Sequence, residues 1–459
     1  MNDKKEIRKL SVKILILLCL LIVAGVAICV LISVSEGAAP DIFEHLQAPL
    51  AETETVWIFL GMCVALIIAL MFFAVYTARL LIFLMVSKGK KKKKRVGSKK
   101  KSKAFAMLSK LDRKMKHKKK VAHDRFSLEE FCLGFRNYAA SELKLYYNIE
   151  DIRRFVAGMG VSRIILLQGM SGTGKTSLAY AFGQFVSNDS VLVPVQPMWR
   201  ERSDLVGYYN EFTKRFNETT LLRKLYEANY CDELYITVLD EVNISRIEYY
   251  FAEFLSLLEI PDPKQRYVDI TTVTQKGDPK KLKEGKLLLP ENMWFVGTAN
   301  NDDSTFAISD KVYDRAMILN LDSRCEAFET LKTKAVRASY TNWCELIDNA
   351  KKNYSLSGDS EGKIKKLDQY LREHFRVSFG NRIMKQLREY VPVMIACGGT
   401  EEGAVDDIIA GKILRKLSQQ APAYLRHQLE PLNEFFDETF GEESMEQCRD
   451  VLQQLEKSL

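Results

Sequence analysis

Eight residues, Gly169-Met-Ser-Gly-Thr-Gly-Lys175-Thr176, restrict the fold of this 459-residue chain more than any other stretch. They follow the apolar, strand-type run 163–167 and Gln168, and they precede Ser177–Phe185, which is rich in helix formers. A GxxxxGK[ST] pattern set between a strand and a helix is a phosphate-binding loop. The glycines let main-chain N–H groups turn inward around phosphates, and the helix N-terminus adds its partial positive charge. The pattern therefore assigns Gly169, Ser171, Gly172, Thr173, Gly174, Lys175, Thr176 and Ser177 to a bound nucleotide. Lys175 reaches its terminal phosphates and Thr176 is a ligand for Mg²⁺.

Two later stretches extend the pattern. Leu234–Leu239 is an apolar strand ending in the adjacent acids Asp240 and Glu241. The expected division of labour puts Asp240 on Mg²⁺ through its water shell, with Glu241 orienting and deprotonating the water that attacks the γ-phosphate. A third apolar strand, Met293–Thr298, leads to Asn300, placed to sense the γ-phosphate or to position water. Other chemistries are poorly provided for: there are five histidines, and no HExxH, GxSxG or Cys/His metal spacing. The nine cysteines show no CxxC and no regular spacing, so they do not read as a disulfide framework.

The order of Gly169–Thr176, Asp240-Glu241, Asn300 and a downstream Asp314-Arg315 resembles an AAA+ ATPase. The segments Val195-Gln-Pro-Met-Trp199, 204–210 and 240–251 are similar to the McrB-like branch, which includes the NTPase subunit of the McrBC restriction complex and lies close to the MoxR-type chaperone ATPases. The resemblance spans about residues 140–400. It implies a P-loop AAA+ core, a parallel sheet flanked by helices, with a helical lid, hydrolysing ATP or GTP with Mg²⁺ in a ring, most simply a hexamer. It also implies Arg315 as an arginine finger serving a neighbouring subunit, with Arg246 and Arg324 as competitors for the role, and Arg382 as a lid arginine touching the phosphates of its own loop. After the third strand the family pattern Met-Asn-x-x-Asp-Arg is met by Ala299, Asn300, Asp303 and Ser304, so the expected Arg is a Ser. An insertion around 207–228 would project to a central pore, with Trp199, Tyr208 and Tyr209 gripping a partner. The implied partner is an effector or substrate protein, such as a McrC-like nuclease in a defence system. The alternatives are a MoxR-like chaperone acting on a membrane or metalloenzyme complex, and a nucleotide-gated membrane scaffold with little turnover.

The N-terminal part falls outside that resemblance. Residues 14–34 carry no charge over a length of roughly 31 Å as a helix, about a bilayer's hydrocarbon core. A second uncharged run covers 56–78, and the stretch 35–55 between them holds five acids and no Lys or Arg. Lys4, Lys5, Arg8, Lys9 and Lys13 precede the first run. Positive charge on one side only predicts two transmembrane helices in the inner (cytoplasmic) membrane, with both termini cytosolic. A cleaved signal peptide at the first run would still leave the second span.

Net charge locates the next element. Lys88–Lys120 holds 18 Lys or Arg and one acid, and removing its +17 from the chain's +8 leaves the other 426 residues at −9. A uniformly basic nucleic-acid binder is excluded. The block, with Lys90–Lys94 unbroken, is expected to meet anionic lipid, with 104–111 as a short amphipathic turn on the headgroups. Direct nucleic-acid binding and a merely solvated linker stay open, although the block lacks the aromatics that stack on bases. The predicted organisation is 1–87 cytosolic tip and two transmembrane helices, 88–125 Lys-rich juxtamembrane linker, 126–325 nucleotide-binding domain, and 326–459 helical lid and C-terminal helices.

Overall fold

A computed structural model describes residues 104–116, 122–300, 305–322 and 324–457, together with the isolated positions 64, 71, 75 and 76. The described body belongs to one unit, 100–459. The uncharged runs 14–34 and 56–78 and the lysines 90–94 lie outside the described residues, those four positions apart. No helix among the described residues is long and apolar enough to cross a membrane.

Five parallel strands form the central sheet: β1 (Ile164–Gly169), β2 (Val191–Pro194), β5 (Tyr235–Asp240), β9 (Met293–Asn300) and β10 (Met317–Asn320). Two short strands form a hairpin, β3 (Tyr209–Asn210) with β4 (Arg215–Phe216), and three make an antiparallel patch, β6 (Tyr267–Asp269), β7 (Leu282–Lys283) and β8 (Lys286–Leu288). The central order is β10-β1-β9-β5-β2. β1, β5 and β9 read as continuous apolar runs because both faces of a parallel sheet are covered. Ile165, Leu167, Ile236, Val238, Trp294 and Val296 enter one core layer, and Ile164, Leu166, Tyr235, Leu239, Met293 and Phe295 the opposite one. Register brings the polar strand ends level: Gly169 lies opposite Asn300, Gln168 opposite Asn320, and Asp240 opposite Pro194. Ligands of such sheets bind beyond the carboxyl ends of the strands, where the connections diverge. Here that point is the end of β1.

The C-terminal helices, Tyr340–Asn353, Gly358–Phe375, Asn381–Ala396, Glu401–Ile408, Pro422–Phe440 and Glu446–Lys457, share the first core layer with Ile149–Val161. After Ile408 the chain continues through a π turn, Ile409–Ile413, and a 3₁₀ segment, Leu414–Gln419.

One expectation is corrected here. The apolar face of 104–116 does not lie on lipid headgroups, because it is consumed inside the protein: Ala104, Phe105 and Leu108 are buried with Phe216 and Leu221. Phe105 stacks on Phe216 at 4.9 Å, and the Phe216 N–H donates to the Ala104 carbonyl at 3.0 Å. The helix Ala106–Met115 has no capping side chain of its own at Phe105. The Glu218 carboxylate takes that place, accepting the Met107 and Leu108 N–H groups at 2.8 Å each. Further along, Asp112 accepts the Tyr226 and Tyr230 hydroxyls at 2.5 and 2.6 Å and the Lys280 N–H at 3.1 Å.

Candidate functional site

The loop after β1 turns back on itself through glycine. Gly169, Gly172 and Gly174 have φ of +136°, +80° and +93°, values that side chains resist, and a Cβ on Gly169 would stand 2.3 Å from the Leu321 carbonyl oxygen. The helix Lys175–Phe185 opens directly from this turn, so its unpaired first N–H groups face the loop's concavity. Lys175 is buried, its ammonium donating to the Gly169 and Met170 carbonyls at 2.9 and 2.7 Å. Burial lowers its pKa, and the nearby Asp322 and Asp240 charges oppose that shift. Thr173 donates to the Met170 carbonyl at 3.0 Å, and the Tyr147 hydroxyl to the Gly174 carbonyl at 3.0 Å.

The acids arrive from β5. The Asp240 carboxylate accepts two hydroxyls at 2.8 Å each, from Thr176 on the loop helix and Thr298 on β9. The Thr298 hydroxyl in turn accepts the Glu241 N–H at 3.0 Å. Glu241 is an exposed non-glycine residue at φ +54° and ψ +55°, a conformation that costs energy and is held here by the hydrogen bond from its own N–H. Asn300, at the tip of β9, sits between the loop and the acids; its carbonyl accepts the Asn243 side-chain amide at 2.9 Å. Thus Gly169–Ser177, Asp240, Glu241 and Asn300 converge on one end of the sheet.

Hard oxygen donors and an N–H-lined turn suit a magnesium nucleotide. Thr176 and Asp240 supply a hydroxyl and a carboxylate already within hydrogen-bond distance, the donor set Mg²⁺ prefers. Cβ atoms on Gly169, Gly172 and Gly174 would meet Leu321, Arg324 and Tyr147, so glycine lets the loop pack closely on the rest of the chain.

Arg315 and Arg382 stand elsewhere. Both line a cleft of about 830 Å³ that includes Ile164, the first residue of β1. Five strand steps separate that position from Gly169, roughly 16–17 Å. Arg382 therefore does not reach its own phosphate loop, which corrects the expectation drawn from its sequence context. Instead it pairs with Glu259, which also takes Arg315 at 2.7 Å. Arg315 pairs with this glutamate and not with its neighbour Asp314, and it donates to the Lys311 carbonyl at 2.5 Å. Of the competitors, Arg246 lies over the Phe306 ring, and Arg324 donates to the Gly172 carbonyl of its own loop at 3.1 Å. Asp303 and Ser304 lie outside the described residues.

In the insertion, Trp199 packs edge-on against Tyr250 at 5.6 Å, so it is a packing residue and not a free grip. Tyr208 is half exposed, and Tyr209 pairs with Phe216 in the hairpin. The fully exposed aromatic is Phe212 at the hairpin turn, whose N–H is fixed by the Asn210 side chain at 3.0 Å. Thr298, Tyr147 and Glu259 were not visible as site residues in the sequence. Only Thr298 left a trace there, as a hydroxyl in an otherwise apolar strand.

Residues 164–316 match the AAA domain, dynein-related subfamily, and residues 330–459 match a domain of unknown function, DUF8727. The chain thus carries an AAA-type α/β core built for a nucleotide. Among solved structures it is similar to a candidate ATPase from Cytophaga hutchinsonii ATCC 33406, at 14% identity and a TM-score of 0.42, over 77% of this chain and 96% of that one. It is also similar to a full-length MCM homolog from Methanopyrus kandleri, at 12% identity and a TM-score of 0.36, over 63% of this chain and 61% of that one. No curated protein matches the sequence.

Proposed function

We propose that this chain is a Mg²⁺-dependent nucleoside triphosphatase, with ATP as substrate, that works in a ring and uses the cycle to remodel or activate a partner. The observation that carries the reading is the Asp240 carboxylate held at 2.8 Å between Thr176 of the phosphate loop and Thr298 of the adjacent strand, with Glu241 next to it in a strained turn. Bound Mg²⁺ would neutralise charge on the β- and γ-phosphates, held by Thr176 and Asp240. Lys175 moves from its loop carbonyls to the phosphates, the loop N–H groups fix the triphosphate, and Glu241 takes the proton of the attacking water. Arg315 and Arg382, remote from their own loop and side by side on Glu259, act on the nucleotide of the next subunit.

The finer reading rests on sequence. The McrB-like segments favour the motor subunit of a McrBC-like defence system. The two uncharged runs and Lys90–Lys94 favour an inner-membrane anchor with anionic lipid beside it. The test uses residues 100–459, so that the docked helix Ala106–Met115 is kept. This fragment should hydrolyse ATP, and Lys175→Ala should abolish turnover and weaken nucleotide binding. Equal turnover by that variant sinks the assignment, and a preference for GTP replaces the nucleotide only.

A further inference from the structure

Residues 310–316, the segment that carries Arg315, are held from the C-terminal module as well as from the core. Lys412, in the π turn Ile409–Ile413, is 2% exposed. Its ammonium donates to the Tyr313 carbonyl at 3.2 Å, the Ala316 carbonyl at 2.6 Å and the Gln386 side-chain oxygen at 2.7 Å. Tyr313 and Ala316 bracket Arg315, and Gln386 donates onward to the Asp314 carbonyl at 3.2 Å. Around this centre Arg415 binds Asp310 at 2.5 Å and covers the Tyr313 ring, while Lys416 lies 3.5 Å from Asp314. From the core, the Ser162 hydroxyl donates to the Arg315 carbonyl at 2.8 Å, the Gln168 side-chain amide donates to the Tyr313 hydroxyl at 2.6 Å, and Glu259 takes the Arg315 guanidinium at 2.7 Å.

A buried ammonium is costly unless every N–H is used. Here all three are, and they fix the backbone on both sides of one arginine. A role confined to stability could be filled by a neutral side chain. We propose that Lys412 is a positioning residue for Arg315, through which the C-terminal module sets whether that arginine reaches a neighbouring subunit's nucleotide. The inference rests on the trans-arginine reading above, and it gives residues 330–459 a task in the cycle: motion of the helical module is delivered to the arginine's segment through the Lys412 clamp, with Gln386, Arg415 and Lys416 beside it.

Protonation bears on the clamp. Burial pushes the Lys412 pKa down to about 7; Asp314 opposes this, and Arg415, Lys416 and Arg382 reinforce it. A neutral amine has two N–H groups for three acceptors. The clamp is therefore complete below about pH 7 and loses one contact as pH rises through that value.

The experiment is a double-mutant cycle in the full-length protein, with ATP turnover measured against ATP and protein concentration. Lys412→Met, which removes all three contacts, is expected to lower kcat about tenfold, while KM and nucleotide affinity move less than about twofold. In the Arg315→Ala background the same change should cost nothing further. Lys412→Arg should restore most of kcat and flatten the alkaline decline expected of the wild type. Gln386→Met, which keeps the lysine and removes one of its three acceptors, runs the same cycle in case Lys412→Met fails to fold. Losses that multiply in the double variants, or a fall in nucleotide affinity equal to that in kcat, overturn the proposal. A wild-type kcat in Arg315→Ala removes the trans-arginine reading itself, and the proposal with it.

Discussion

At the Gly169 end of the sheet Lys175 and Asp240 are held by the same loop, its helix and the adjacent strand, whereas at the Ile164 end two guanidiniums lean on one carboxylate. Lys175 rests on two loop carbonyls and Asp240 on two hydroxyls. The opposite cleft is lined by the cations Arg163, Arg266, Arg315, Lys351, Arg382 and Lys385 against three glutamates, and the Nε of Arg315 is buried without a hydrogen-bond partner. One anion bridging two guanidiniums is an arrangement that a phosphate group also satisfies. The first end is complete within the chain. The second has the charge to receive a further anion, and on that ground the pair is proposed above as half of an intersubunit site.

Breaking the second end should separate the two most sharply. Arg315→Ala should reduce turnover about 10³-fold while nucleotide affinity, read by fluorescence titration, stays near wild type. A parallel loss of affinity would return Arg315 to its own subunit's site and erase the contrast. At the first end, Thr298→Val deletes the hydroxyl that ties Asp240 to the Glu241 N–H. It should cost about tenfold in kcat in both dilute and assembled protein, because that contact is internal to one chain. Dependence of this loss on protein concentration would place Thr298 at the assembly face. The smallest effect belongs to neither end: Glu218→Gln weakens the cap on the helix Ala106–Met115 by about 1 kcal/mol. That shift should appear as earlier proteolysis at Lys110 and Lys114 in urea, with turnover unchanged.

Sequence reading was most secure where function lies in contiguous residues. The loop, the strand before it and the helix after it stand in the structure where the eight-residue pattern put them, because strand, turn and helix are all written locally. The Asp240–Thr298 contact spans 58 residues and joins two strands whose neighbourhood is set by sheet order, so the apolar run around Thr298 gave no reason to single it out. Arg382 was misplaced for a related reason. Its surroundings resemble those of a lid arginine, but the packing of the helix Asn381–Ala396 against Ile149–Val161 decides which end of the sheet it meets. The amphipathic pattern of 104–111 was legible as a pattern only, since an apolar stripe that fits a headgroup layer fits Phe216 equally well.

The cap supplied by Glu218 has a consequence for the order of events during synthesis. The helix Ala106–Met115 leaves the ribosome more than a hundred residues before the carboxylate that starts it and the aromatic ring that covers it. Ten residues are too few to hold a helix alone in water. Within the described body, the first segment to be translated is therefore among the last to settle. Until it does, its apolar side chains, next to a run of lysines, are open to whatever surface the nascent chain meets.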